Sequence, residues 1–335
     1  MSNTFAQLLD SAIQAREALF APPHQTACRL FYGFLEGEPR LVIDLYATTV
    51  VLHDYADPAV GDPALLTTAQ QVIRTRLPWV RAFLLKSRRA ASPAAQCGQI
   101  IAGETLDRRI REHNIWYALD LTVNRDTSFY LDLRNLRQWA LTNLQDKTVL
   151  NTFAYTGSLG VAAQASGAAR VVHLDRNRRF LNVAKTSYTL NGLPIHKPDF
   201  HVGDFWAYTS QLRRQGHTFD CVFLDPPFFA TTPGGVVDLE RHASRLINKV
   251  RPLINDGGWL VAVNNALFLS GAAYMQSLTA LGADGYMELA EIIPVPADVT
   301  GYAHTRCGAP ITDPAPFNHA TKVAILRIRR KSGST

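Results

Sequence analysis

Asp225-Pro226-Pro227-Phe228 is the stretch of the chain whose residue types bear most directly on chemistry. Two successive prolines fix the backbone and remove two N–H groups, leaving carbonyls and the Asp225 carboxylate as acceptors, while Phe228 offers a face on which a planar substrate can stack. The plain alternative is a rigid turn. Tyr155-Thr-Gly-Ser-Leu-Gly160 places Gly157 and Gly160 where a ligand could approach the backbone closely. It lacks the GxGxxG spacing that clamps a pyrophosphate on a helix N-terminus, so a nucleoside ligand without phosphates fits better. Asp175 can accept two ribose hydroxyls, and Asp204, in Gly203-Asp204-Phe205, can accept an adenine amino group with Phe205 or Trp206 packing on the ring. For both acids the alternative is an ordinary turn residue at a strand end. Asn264-Asn265 adds two side-chain amides.

Each of these positions closes an apolar run. Residues 148–153, 170–175, a run ending at His201-Val-Gly-Asp204, 219–225 and 258–263 have strand character, separated by helical stretches such as the stripe Leu133, Leu136, Ala140, Leu141 and Leu144 and the segment 178–191. Strand, Gly-rich turn and helix in repeated order predict a doubly wound parallel sheet, in which ligands bind beyond the carboxyl ends of the strands. Late strands over 287–293 and 322–328 flank a Pro-rich loop and predict a closing antiparallel pair, for seven strands in all. Asp132 is expected to cap the helix that begins at Leu133. Residues 1–125 alternate shorter pieces: helical spacing at Phe5, Leu8, Leu9 and Ile13, strands over 40–44, 49–53 and 81–85, a helix over 65–77, and paired strands around Glu112-His113-Asn114. The expected fold class is therefore α/β, a seven-stranded Rossmann-like sheet over residues 126–335 preceded by a smaller α+β, substrate-side domain over residues 1–125.

The chain has 335 residues, 47% hydrophobic and 19% charged, which excludes disordered, collagen-like and supercharged classes. Its apolar runs fall far short of the ~18–20 residues that cross a bilayer, and no secretory signal pattern opens it, so a cytoplasmic location without a membrane partner is expected. Four cysteines without CxxC spacing, and histidines without HxxxH or HExxH pairs, predict reduced thiols and no metal. Residues 1–140 hold 15 Lys and Arg against 14 Asp and Glu, and residues 141–335 hold 19 against 14, a mild basic excess that attracts polyanions.

The order Phe-Ala-Tyr-Thr-Gly-Ser-Leu-Gly (153–160), Leu-Asp (174–175), Gly-Asp (203–204) and Asp-Pro-Pro-Phe-Phe (225–229) resembles class I S-adenosylmethionine-dependent methyltransferases. More narrowly it is similar to the bacterial 23S rRNA large subunit methyltransferase group, which includes the 5-methylcytosine enzyme I and the 7-methylguanine enzyme K. Glu112-His113-Asn114 and Thr127-Ser-Phe-Tyr-Leu-Asp-Leu-Arg134 extend the resemblance, which runs from about residue 24 onward. It implies S-adenosylmethionine as cofactor, held by Phe153, Tyr155, Thr156, Gly157 and Gly160, by Asp175 and Arg176, and by Gly203, Asp204 and Phe205. Tyr130 and Arg134 are further cofactor contacts on this view, Arg134 through the cofactor carboxylate; a simple helix start is the alternative.

Two departures from the group shape the expected chemistry. Its RNA-anchoring PUA domain would precede the central module, and this sequence is not expected to carry it. The cysteine that adds to C6 of a pyrimidine follows the fifth strand in the 5-methylcytosine branch, and here that place holds Asn264-Asn265-Ala266, which cannot act as such a nucleophile. Direct transfer to a base nitrogen in RNA, ribosomal RNA foremost, is therefore expected, with Asp225 and the Pro226 carbonyl as proton or hydrogen-bond acceptors, Pro227 fixing the turn, Phe228 stacking, and Asn265 meeting a base edge. The alternatives are a small-molecule or protein acceptor, a nicotinamide dehydrogenase, or a noncatalytic RNA-binding protein, and a homodimer is left open. Arg327-Ile-Arg-Arg-Lys331 and Lys86-Ser-Arg-Arg89 could hold phosphates, against a solvated strand end and a loop. The Pro-rich loop over 294–317 is expected to overlie the substrate side.

Overall fold

The computed structural model of the chain describes residues 4–59 and 61–330. Two compact units form, Met1–Asp132 with Pro296–Pro310, and Leu133–Val295 with Ile311–Thr335.

In the first unit five strands, β1 (Ala27–Tyr32), β2 (Leu41–Tyr46), β3 (Thr49–Asp54), β4 (Ala82–Ser87) and β5 (Gln99–Ala102), lie side by side in chain order. β3 and β4 are parallel, and the helix Pro63–Arg76 makes the crossover; its start is set by Pro63 in the first turn and by Asp62, which accepts from the Leu65 N–H at 3.0 Å. Helix Phe5–Ala15 begins with a reciprocal Thr4–Gln7 capping box. Both helices bury one stripe, Leu9, Ala12 and Ile13 and then Leu65, Ala69 and Ile73, in one core with Leu30, Ile43, Val50 and Phe83 from the sheet. A short hairpin follows, β6 (Arg109–Glu112) and β7 (Ile115–Ala118), turning through His113 and Asn114 at φ 50° and 66°. Left-handed values at both turn residues match the twist of an antiparallel pair.

The second unit holds β8 (Thr148–Thr152), β9 (Arg170–Asp175), β10 (Phe200–Val202), β11 (Phe219–Leu224), a hairpin of β12 (Phe229–Thr232) and β13 (Gly235–Asp238), then β14 (Ile254–Asn264), β15 (Met287–Ile293) and β16 (Lys322–Ile328). Seven of these make one sheet, ordered β10-β9-β8-β11-β14-β16-β15, parallel except for β16, which runs antiparallel to both its neighbours. This is the expected Rossmann-like sheet. Its central strands are apolar on both sides because both faces are covered: Leu150, Val172, Val222 and Leu260 enter one core, and Val149, Val171, Cys221 and Val261 the other. From β8 the chain winds outward through β9 and β10, then returns to β11 on the opposite flank of β8. The carboxyl ends of β8 and β11 therefore flank the switch point, where such sheets bind ligands.

One local expectation is corrected, and two further segments are placed by partners that the sequence did not show. Helix Arg134–Asn143 has Leu133 at its N-cap with no side-chain cap, because Asp132 lies inside a preceding 3-10 turn, Leu131–Leu133. The Pro-rich segment divides: Pro296–Pro310 packs in the first unit, where the Arg29 N–H donates to Asp298 Oδ2 at 3.0 Å, and the Cys307 and Gly308 N–H groups reach the Leu35 carbonyl at 2.8 and 3.0 Å. Its tie to that unit is made by backbone and carboxylate groups, which periodicity does not reveal. In the basic stretch 86–89, Lys86 and Arg88 are committed internally, while Arg89 is exposed. Lys86 is buried, with Nζ donating to the carbonyls of Cys97, Asn124 and Asp126, and Arg88 pairs with Asp126 at 2.8 Å. In the other basic stretch, Arg329 pairs with Glu288 and Arg330 donates to the carbonyls of Ile254 and Pro252, while Lys331 lies outside the described residues.

No described helix is long and apolar enough to cross a membrane, and no three His, Cys, Asp or Glu side chains among the described residues gather as metal ligands.

Candidate functional site

Four strands stand in register at Leu174, Thr152, Leu224 and Ala262, so the residues that follow them emerge along one edge of the sheet. After β8 the backbone turns through left-handed conformations at Phe153 (φ 52°), Tyr155 (φ 49°) and Gly157 (φ 79°) before helix Ser158–Ala165 begins. Bulky residues with positive φ hold about 1–3 kcal/mol of strain each, and such outliers gather where backbone must present itself to a ligand. Neighbouring groups hold the turn: the Tyr155 N–H donates to Asp175 Oδ2 at 2.8 Å, the Ala154 N–H to the Leu174 carbonyl at 2.9 Å, and Phe153 stacks on Phe205 with centroids 4.6 Å apart. Thr156 is buried within the turn.

Asp175 accepts one backbone N–H on each oxygen, from Tyr155 and from Asn177, both at 2.8 Å. A carboxylate has about four lone-pair positions, so it keeps acceptor capacity for a pair of hydroxyls. Burial raises its pKa, against the lowering effect of the backbone N–H groups of Asn177, Tyr155 and Arg176. The Arg176 side chain is exposed beside it, and the Gly203 N–H bonds the Asp175 carbonyl at 3.0 Å, which ties the ends of β9 and β10. Asp204 caps helix Phe205–Arg214, its Oδ1 taking the N–H groups of Trp206 and Ala207 at 2.9 and 3.1 Å. Its Oδ2 is buried with no hydrogen-bond partner, an acceptor suited to an amino group.

The expected ring contacts are revised. Phe205 and Trp206 are 3% and 6% exposed, Phe205 against Phe153 and Trp206 beneath Gly235 and beside Arg245, so neither offers an open face. The two glycines have a packing reason as well. A Cβ on Gly160 would stand 2.3 Å from His173 Cε1 on β9, and one on Gly157 would stand 2.5 Å from the Ala184 Cβ in the helix Arg178–Leu190, so packing against a strand and against a helix leaves no room for a side chain at either position. His173, which the sequence did not single out, is 0% exposed, pairs through Nε2 with the Tyr188 hydroxyl at 2.9 Å, and is held neutral by burial, with its pKa lowered to about 3.

At the end of β11, Asp225 is half-buried, Pro226 buried, Pro227 exposed and Phe228 43% exposed. The β12–β13 hairpin, also not foreseen, springs from this segment and closes on it through the Leu239 N–H to the Phe228 carbonyl at 3.1 Å. Thr-Thr-Pro-Gly-Gly between two apolar runs was its available signal. At the end of β14 the paired amides separate: Asn264 is buried and spent on backbone groups, while Asn265 is exposed. Arg134 opens its helix in the second unit. Tyr130, 40% exposed with its hydroxyl toward Asp126 Oδ2 at 3.4 Å, belongs to the first unit. None of the four cysteines stands at a strand end facing this edge: Cys221 is in the core of β11, where burial holds its thiol well above the ordinary value, and the other three lie in the first unit.

Residues 41–301 match the profile of the S-adenosylmethionine-dependent methyltransferase family. The chain is 26% identical over 287 residues to ribosomal RNA large subunit methyltransferase I of Photobacterium profundum, covering 85% of this chain and 72% of that protein. To ribosomal RNA large subunit methyltransferase K/L of Shewanella amazonensis it is 31% identical over 235 residues, 68% of this chain and 33% of the larger protein. Among solved structures, methyltransferase SMU.776 in complex with SAH superposes with TM-score 0.81 at 20% identity over 98% of this chain and 83% of that one, a likeness of fold.

Proposed function

The chain belongs to the S-adenosylmethionine-dependent methyltransferase family, and from that premise we propose that it methylates a base nitrogen in RNA, ribosomal RNA first, by direct transfer. The observation that carries the acceptor side is the Asp225–Phe228 segment, a half-buried carboxylate and an exposed aromatic ring at the end of the strand next to the left-handed turn. The relatives named as ribosomal RNA large subunit methyltransferases supply the acceptor class.

The residues present fit the cofactor. Asp175 has acceptor capacity for the ribose hydroxyls, the buried and unpartnered Asp204 Oδ2 suits the adenine amino group, and the turn 153–157 lays backbone along the switch point. When bound, S-adenosylmethionine supplies an electrophilic methyl group. Phe228 stacks the base and keeps its nitrogen in line, contributing about 1–3 kcal/mol. Asp225 and the Pro226 carbonyl accept hydrogen bonds from the attacking nitrogen, and the Asp225 carboxylate takes up the proton it releases. Pro227 holds both in place, and Asn265 meets a base edge. Pyrimidine C5 chemistry would need a thiolate, and the end of β14 carries two asparagines in its place.

Transfer of labelled methyl from S-adenosylmethionine to naked ribosomal RNA, to assembled subunits, and to small-molecule and protein extracts tests this. Label should enter RNA, and Asp225→Ala should lower that transfer about 10²–10⁴-fold without lowering the thermal midpoint. Label in an extract alone would move the acceptor to a small molecule or protein, and full activity of Asp225→Ala would remove its assigned role.

A further inference from the structure

The ends of β11 and β14 are joined by a chain of hydrogen bonds that terminates on a buried cation. The Phe228 carbonyl accepts from the Leu239 N–H at 3.1 Å, and the Leu239 carbonyl from Asn264 Nδ2 at 3.2 Å. Asn264 Oδ1 accepts from the Ala266 N–H at 2.9 Å, and the Ala266 carbonyl from Lys322 Nζ at 2.9 Å. The same nitrogen donates to the Ala320 carbonyl at 2.6 Å. Asn264 and Lys322 stand opposite each other in the β14–β16 pair, both 0% exposed.

Two carbonyl oxygens, and no carboxylate among the described residues, meet this ammonium. Burying a cation without a counter-ion is unfavourable, and methionine would fill the same volume at lower free energy. What the chain of bonds holds is backbone that follows the neighbouring strands β11 and β14, and exposed side chains stand on or beside it: Phe228 at 43% exposure after β11, and Asn265, Leu267 at 37% and Phe268 at 62% after β14. Burial lowers the Lys322 pKa to about 8, and the amine formed above that pH still has two N–H groups for its two carbonyls.

We propose that Lys322, acting through Asn264, is a positioning residue for the acceptor: it holds the Phe228 ring and the segment 265–268 in one fixed relation, so that a base stacked on Phe228 meets Asn265. This rests on the acceptor side assigned above. Neither residue touches the reacting atoms; they act through backbone carbonyls and N–H groups.

Lys322→Met and Asn264→Asp in the full chain test it, the second keeping the acceptor for Ala266 while removing the donor to Leu239. Three quantities are compared with the parent: amide hydrogen exchange at Leu239 and Ala266, SAH affinity by calorimetry, and kcat and KM for the RNA acceptor. Exchange at one or both amides should quicken at least tenfold, and kcat/KM for RNA should fall at least tenfold. SAH affinity should stay within twofold and the thermal midpoint should not drop. Unchanged exchange, or unchanged kcat/KM with an active parent, overturns the inference. So does a loss that tracks equal losses of SAH affinity and thermal midpoint in both variants, which marks a purely structural role. If the parent methylates no RNA, the acceptor reading fails on its own, and exchange at the two amides still decides whether Lys322 orders these segments.

Discussion

Two buried acids of the first unit and two strand-end acids of the second are used in opposite ways. In the first, Asp44 is 3% exposed and fully engaged, taking Arg29 Nε at 2.8 Å and Nη2 at 3.3 Å, with His53 Nε2 at 3.3 Å. Glu36, 1% exposed, takes both Arg16 terminal nitrogens at 3.0 Å, the Tyr32 N–H at 2.7 Å, and the Thr305 hydroxyl. In the second unit Asp175 and Asp204 are bonded only by backbone N–H groups at strand ends, and one oxygen of Asp204 has no partner. A carboxylate saturated by cations locks a fold and has nothing left for a ligand. One oriented by N–H groups keeps its charge, its position and part of its acceptor capacity. Burial alone therefore does not mark a binding acid; what occupies its lone pairs does.

Substitutions that exchange these roles would break the contrast. The largest effect is expected at Asp44, because removing it strands the buried Arg29 guanidinium: Asp44→Ala should cost about 3–5 kcal/mol of unfolding free energy, read by urea denaturation, with SAH affinity of the folded protein unchanged. Arg29 and His53 hold the Asp44 carboxyl well below the usual range, against burial, which acts to raise it and is the largest single influence. The sign follows: this contribution is complete above the ordinary aspartate value near 4 and is lost as the pH falls further. Asp175→Asn should do the reverse, weakening SAH about 10–100-fold in calorimetry as charge-assisted bonds are lost, with stability little altered. Since burial raises the Asp175 pKa, parent affinity should decline on acidification at a higher pH than an ordinary aspartate would give, and the variant should lose that dependence. The smallest effect is expected for Asp204→Asn, which keeps the helix cap and alters only the unpartnered oxygen: a few-fold loss of SAH affinity at unchanged thermal midpoint. Equal losses of stability and affinity at Asp175 or Asp204 would erase the contrast.

Much of the second unit was legible in its sequence. The five parallel strands and the late antiparallel pair follow from runs such as 219–224 and 322–328, whose length and β-branched content carry their own period. Asp175, Asp204 and Asp225 were legible because each closes such a run. The hairpin after Phe228 was not legible because its two strands, Phe229–Thr232 and Gly235–Asp238, have four residues each, too few to show a clear alternation. His173 and Lys322 were illegible because each sits inside an apolar strand, where a single polar residue does not say which partner from a distant segment will meet it.

Residue order and type alone determined the α/β class, the seven strands, the positions of the strand-end acids and the absence of a cysteine after β14, since each depends on local period or identity. Only the folded chain decided what those groups are free to do. Packing against His173 and Ala184 leaves no room for a side chain at 160 and 157; Asn264 became a strut while Asn265 stayed exposed; and residues 296–310 joined the first unit. Those outcomes depend on contacts between residues far apart in the chain, and the free energy of a buried polar group is set by whichever partner tertiary packing brings to it.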